Sequence, residues 1–230
     1  EWETAVKDSP RYPQAYESLG WAYLNTENYS KAIESYRIAL EIQPNLQVKR
    51  YFNFAHELKA EKYSFHSFRL WNMGRQLIVA DKLDQAIMLL EQSIKESPNF
   101  SDAYNTLAWI YVDKLLSNLD EAERLVRKAI YIKPEAAFFD TLSWILYKQE
   151  RYVEAVEIAE RAIKLDPNQA EHFYHASLAY LKNGQKEEAL ENLKRAVILE
   201  NKFGRIAQQE VAFAGLNSTS DFQQILKIRK

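Results

Sequence analysis

Residues 13–46 read PQAYESLGWAYLNTENYSKAIESYRIALEIQPNL. Apolar side chains recur in this stretch at helical spacing in two runs: Tyr16, Leu19 and Tyr23, then Ile33, Tyr36, Ala39 and Leu40. The polar segment between them, Asn25-Thr26-Glu27-Asn28, has room only for a turn. Pro44 falls just beyond the second run, where a missing N–H does no harm. The stretch predicts helix–turn–helix.

The same marks return along the chain on either side. Pro10, Pro44, Pro98, Pro134 and Pro167 are spaced by 34, 54, 36 and 33 residues, and 54 is 34 plus a 20-residue interruption. Ala32, Ala86, Ala122, Ala155 and Ala189 are spaced by 54, 36, 33 and 34. Two residue types keep one irregular ruler, and a period in this range marks a solenoid or an array. Trp2, Ala5 and Pro10 sit 34 residues before Tyr36, Ala39 and Pro44, so the chain is expected to open inside the second helix of an earlier unit.

Composition supports an all-helical reading. Five glycines and six prolines in 230 residues are too few for a β-sandwich or barrel with its frequent turns. The aromatic residues (Trp 5, Tyr 14, Phe 11) supply too much apolar surface for a disordered chain. A net charge of −2 gives no field that draws nucleic acid or an anionic membrane. The absence of cysteine excludes disulfides, cysteine–zinc sites, cysteine-ligated clusters and thiol catalysis. No apolar run approaches the ~20 residues of a membrane span. No secretory leader is expected. A soluble module is therefore expected, with the cytoplasm favoured and a periplasmic place left open.

These residues resemble the tetratricopeptide (TPR) repeat family. Its pattern has large residues at positions 4, 11 and 24, Leu at 7, small residues at 8, 20 and 27, and Pro at 32. The unit at 13–46 fills it with Tyr16, Leu19, Gly20, Tyr23, Ala32, Tyr36, Ala39 and Pro44. Further units are read at 67–100, at 101–135 with two extra residues between its helices, at 136–169, and at 170–203, where Asn201 replaces the proline. Residues 47–66 read as an insertion expected to form one extra helix, with Tyr51, Phe54, Ala55 and Leu58 at mimics of first-helix positions 4, 7, 8 and 11, or a partner-binding element rich in aromatics. Residues 1–12 read as the second half of a truncated unit and 204–230 as C-terminal capping helices. In that last segment a helix over about 205–214 is expected, then a capping box at Ser220-x-x-Gln223 opening a short helix. The resemblance implies an all-α, right-handed α-solenoid of stacked units.

The same resemblance implies a concave groove lined by first helices at positions such as 2, 5, 9 and 12. Positions 5 and 9 hold Glu17 and Trp21, Trp71 and Arg75, Asn105 and Trp109, Asp140 and Trp144, and Tyr174 in the last unit. These nine residues are the expected partner-binding surface, with tryptophans as its anchors, although a tryptophan at position 9 can equally lie flat against the next helix. Some TPR domains grip acidic chaperone tails through a lysine, asparagine and arginine clamp. Here the matching positions hold Glu17 and Trp21, then Asn72, then Asp102 and Thr106, and only Asn72 agrees. Acids outnumber bases along the groove rows (Glu17, Asp102, Asp140 and Glu171 against Arg75), so a ligand with apolar anchors and basic groups is expected.

No nucleophile motif or phosphate loop appears, and no catalysis or cofactor is expected. His172 and His175 lie three apart on one helix, near Glu171, but two imidazoles make an incomplete metal site, and solvated or partner-contacting histidines are expected instead. RNA binding of the pentatricopeptide kind is disfavoured by the near-neutral charge and by the alanine and proline positions. Two readings stand. The first is a non-catalytic scaffold that binds a protein or peptide ligand in its groove. The second is a structural or regulatory segment of a larger enzyme or assembly. Edge-to-edge self-association near Trp2 is left open.

Overall fold

The computed structural model describes Thr4 and residues 11–228, and Trp2, Ala5 and Pro10 lie outside that range. Among the described residues regular structure is helical, with no strand. The helices run α1 (Pro13–Asn25), α2 (Tyr29–Ile42), α3 (Leu46–Lys59), α4 (Phe65–Val79) and α5 (Leu83–Glu96). They continue with α6 (Ser101–Trp109), α7 (Leu119–Ile132), α8 (Ala136–Lys148), α9 (Tyr152–Leu165), α10 (Ala170–Lys182) and α11 (Lys186–Leu199). The chain finishes with α12 (Lys202–Gln209), a 3-10 turn over Val211–Leu216, and α13 (Ser220–Leu226). It is an α-solenoid of TPR type, in two compact units. One holds residues up to Gly74 with Gln92–Phe100, and the other holds Arg75–Glu91 with Ser101 onward.

Local chemistry sets where helices start and stop. Pro13 occupies the first position of α1, where its missing N–H has no partner to lose. Asn45 caps α3, its side-chain oxygen accepting from the N–H groups of Gln47 at 2.8 Å and Val48 at 3.3 Å. Between paired helices the chain turns on a residue with left-handed backbone: Glu27 (φ 56), Asp81 (φ 57), Glu150 (φ 62) and Gly184 (φ 82). Only glycine adopts that conformation without strain. The unit carrying two extra residues absorbs them differently. There α6 runs on into a π-helical turn, Ile110–Lys114, and two left-handed residues follow, Leu116 (φ 47) and Asn118 (φ 51).

Small residues let the helices approach closely. Ala32, Ala86, Ala122, Ala155 and Ala189 are all fully buried. Ser143 donates its hydroxyl to the Ala155 carbonyl at 2.8 Å, tying α8 to α9. In the first unit Ser67 and Ser93 do the same for α4 and α5, each hydroxyl bonding the other's carbonyl at 2.8–2.9 Å. At Gly20 a side chain enters only if the Tyr36 ring moves, because a methyl built there meets that ring at 2.6 Å.

Within the first unit α1, α2 and α3 pack in sequence order, and Phe54 of α3 joins Phe68, Trp71 and Phe100 in one aromatic core. Within the second, each helix from α6 to α11 packs on the next. Tyr174, Leu178, Leu193 and Val197 of the last pair are sealed by Phe203, Phe213, Phe222 and Ile225.

Two local expectations there are corrected. The helix over about 205–214 breaks at Glu210, which is extended (φ −75, ψ 123), and resumes as a 3-10 turn. The capping box at Ser220 does not form. Thr219 is the N-cap, and the Gln223 side chain donates instead to the Asn217 carbonyl at 2.7 Å.

Two substitutions of opposite sign test this packing. Gly20→Ala gains ~1 kcal/mol of helix propensity but overpacks the buried Tyr36 ring at a cost of ~1–3 kcal/mol. A net loss of about 1 kcal/mol is expected as a lower urea midpoint at unchanged slope. Glu150→Gly relieves the left-handed strain and is expected to raise the same midpoint, by up to about 1 kcal/mol after the entropy cost of glycine.

Candidate partner-binding surface

In the first unit α1 presents Glu17 and Trp21 one turn apart, and the Asn45 cap starts α3 in the register that brings Gln47 and Tyr51 alongside. Tyr36 of α2 also lines the space between them. The result is a hollow of about 320 Å³ lined by Glu17, Ser18, Trp21, Ala22, Tyr36, Gln47 and Tyr51. Trp21 meets Tyr51 edge-on at 5.4 Å and lies 6.3 Å from Phe68, yet it stays partly exposed. Tyr51 in turn stacks on Tyr36 at 6.2 Å.

Two polar groups of this hollow have no counterpart. The Tyr36 hydroxyl is buried without a hydrogen-bond partner. Burial first, then Tyr51 and Glu17, push its pKa far above the ordinary tyrosine value, so it stays a neutral donor and acceptor. No Lys or Arg of the described residues forms an ion pair with Glu17.

Trp71, expected on the same face, is a core residue instead. It is fully buried, 5.0 Å from Phe54, 5.7 Å from Phe68 and 5.5 Å from Phe100, with the Arg50 guanidinium 5.2 Å over its ring. Arg75 is half-buried near the end of α4.

In the second unit the expected residues separate into surface and core. Trp109 is half-buried, with Lys114 Nζ 4.9 Å from its ring, and Asn105 carries a buried side-chain oxygen without a partner. Trp144 stacks on Tyr147 at 5.0 Å and on His175 at 4.7 Å, and Lys148 Nζ lies 4.2 Å from its ring. Its indole N–H is buried and unpartnered. Tyr174 leaves the candidate surface, because it is buried against Phe203 at 5.0 Å beneath the C-terminal cap.

Asp140 is also withdrawn from solvent. Its two oxygens lie 3.1 and 3.0 Å from His175 Nδ1, whose N–H donates to them, and Oδ1 lies 3.3 Å from His172 Nδ1, off the hydrogen-bond direction. The expectation of solvated histidines is therefore corrected: both imidazoles turn into the α8–α10 interface. Burial opposes the Asp140 charge, but His175 and His172 overcome it and hold the carboxyl well below its usual range. Burial likewise opposes the His175 charge, and Asp140, with Glu171 and Asp113 further off, raises its pKa nonetheless.

The signal for this cluster was present in the repeat register. Asp140 occupies position 5 of one unit, and His172 and His175 occupy positions 3 and 6 of the next. Tyr36 stood in the register as the large residue at position 24, and Tyr51 as a mimic of position 4 of a first helix, but neither position pointed to a hollow between them, and Gln47 carried no such signal. Among the described residues no group of three His, Asp or Glu side chains could hold a metal ion. No helix among them is long and apolar enough to cross a membrane.

The paired helices, the buried small residues and the partly exposed first-helix aromatics define a repeat protein of the tetratricopeptide class, and comparisons agree. Models described as tetratricopeptide repeat match residues 13–46 and 89–124, and one described as anaphase-promoting complex, cyclosome, subunit 3 matches residues 116–196. The chain is built of tetratricopeptide repeats. It is similar to the protein O-mannosyl-transferase TMTC3 of Homo sapiens, 24% identical over 211 residues, covering 88% of this chain and 22% of that protein. The Mus musculus counterpart is 25% identical over 189 residues, covering 79% and 20%. The chain thus spans about a fifth of the length of these curated relatives.

Among solved structures, MamA is similar at a TM-score of 0.54 and 20% identity, over 67% of this chain and 90% of MamA. YrrB, described as a TPR protein with an unusual peptide-binding site, gives 0.52 and 18%, over 75% and 88%. Both share the fold.

The Asp140 cluster makes stability depend on pH. The lowered Asp140 pKa stabilises above about pH 3.8, its ordinary value, and that contribution is lost as pH falls through the folded value. The raised His175 pKa stabilises below 6.5 and is lost as pH rises through the folded value. Asp140→Asn is expected to cost about 3 kcal/mol near pH 6, with the deficit shrinking on the alkaline side as His175 discharges. Urea midpoints measured across that range check it, and a deficit constant with pH would refute the pairing.

Proposed function

We propose that this chain is a non-catalytic protein-interaction scaffold whose first-helix faces take a peptide or helix from a partner. The observation that carries the reading is a set of buried hydrogen-bonding atoms without partners: Tyr36 Oη, Asn105 Oδ1 and Trp144 Nε1. A buried polar atom left unpaired costs ~1–3 kcal/mol. A ligand backbone or side chain that reaches any one of these atoms recovers part of that cost, which gives the face around it, in either unit, a reason to bind. Trp21 and Trp109 beside them are the partly exposed aromatic anchors. Catalysis finds no support in the TPR architecture, and the Asp140–His175 pair sits in a helix interface, where it ties α8 to α10.

A second reading is favoured by the TMTC3 matches: a repeat segment serving a larger chain, with the same faces taking a part of that chain. The printed transferase name belongs to proteins of which this chain matches about a fifth.

The test is capture from source lysate, read by mass spectrometry, comparing the chain with Trp21→Ala/Trp109→Ala. Trp144 is left in place because its two ring stacks contribute to folding. Truncating one anchor is expected to cost about 2 kcal/mol of binding, so partners are lost from the double variant while circular dichroism stays unchanged. Partners retained in full by the double variant would overturn the scaffold reading.

A further inference from the structure

We propose that the hollow of the first unit is a receptor for an arginine side chain of the partner, an inference that rests on the scaffold reading above. The chemistry of its lining selects the occupant. Among the described residues Glu17 supplies a carboxylate with no ion-pair partner, and no Lys, Arg or His of them lines the space. An anionic group would meet only repulsion there. An apolar group would seal the Tyr36 hydroxyl permanently without a partner. A cation satisfies both.

Guanidinium suits the lining better than ammonium does. The residues lining the hollow that carry acceptor oxygens are Glu17, Ser18, Tyr36, Gln47 and Tyr51. An arginine brings five N–H donors in a planar fork, whereas a lysine brings three from one point. A planar cation can also lie against the Trp21 and Tyr51 rings, which meet at 5.4 Å. The volume, about 320 Å³, is roughly ten times a water's share of the liquid and admits the stem as well as the head. Tyr36 holds its proton in this setting, and its hydroxyl oxygen, without a partner of its own, is left to accept from the ligand.

Of the four acids expected along the groove rows, Glu17 is the one that lines this hollow. Asp102 and Asp140 are buried within the second unit, and Glu171 is exposed on α10.

The experiment titrates the full chain, labelled with 15N, with the tripeptide Ac-Ala-Arg-Ala-NH2 and follows the Trp21 indole resonance. The lysine and citrulline versions of the peptide serve as comparisons. Saturable movement with the arginine peptide is expected, several-fold weaker binding with lysine, and none with citrulline, which keeps the shape but loses the charge. Glu17→Gln is expected to weaken the arginine peptide at least tenfold without changing the thermal melt, and added salt to weaken it in the unaltered chain.

No movement at Trp21, equal response to citrulline, or an unaffected Glu17→Gln chain overturns the inference. Lysine binding as tightly as arginine overturns the guanidinium assignment. The two levels separate cleanly. Partner capture lost in Trp21→Ala/Trp109→Ala but kept in Glu17→Gln refutes the arginine receptor alone, whereas capture kept in both refutes the scaffold reading itself.

Discussion

At Gly20 the backbone of α1 comes so close to the Tyr36 ring of α2 that a single methyl group would have to displace it. The same demand for small residues recurs at each alanine of the repeat, and the other features follow from it. Helices that approach this closely bury their seams completely and leave large residues to fill what lies between pairs. Within each compact unit every helix pair shares its faces with the helices beside it, so stability is distributed along them. Packing and the candidate site are also joined here, since the ring pressed against Gly20 lines the hollow, and its buried hydroxyl lacks a partner.

First-helix aromatic and acidic residues divide into two populations that the repeat pattern alone does not separate. Trp71 and Tyr174 are sunk into aromatic clusters because extra elements cover them, α3 in one case and the C-terminal cap in the other. Trp21 and Trp109 keep exposed surface. Asp140 and Glu17 share position 5, yet one is enclosed by two imidazoles of the next repeat and the other has no such neighbour among the described residues. The chemistry of a groove position is thus set by the helix beside it.

This explains how much could be read in advance. The ruler of alanines and prolines fixes the helix pairs, because close packing tolerates only small residues at those positions, and all five alanines are indeed fully buried. The fold was therefore legible. Burial of individual tryptophans was not, since it depends on contacts with segments that break the period. Phe54 lies in the interruption and Phe203 at the last place of its unit, outside the positions the pattern prescribes, and they decide the fates of Trp71 and Tyr174. The Asp140–His175 contact spans 35 residues and was available to anyone comparing positions 5 and 6 of successive units. The Tyr36 hydroxyl was invisible, because an unpaired atom has no signature in sequence.

The π-helical turn over Ile110–Lys114 also bears on where the chain opens first. Its hydrogen bonds are stretched to a wider ring, as in Leu115 N–H to the Ile110 carbonyl at 3.1 Å, and π geometry is held only in short pieces. Lys114, Leu115 and Leu116 are exposed, and left-handed residues at 116 and 118 add strain. Local opening draws on such low-stability segments long before the core yields. The bond after Lys114 is accordingly open to trypsin, and a cut there would part α6 from α7 within a single repeat.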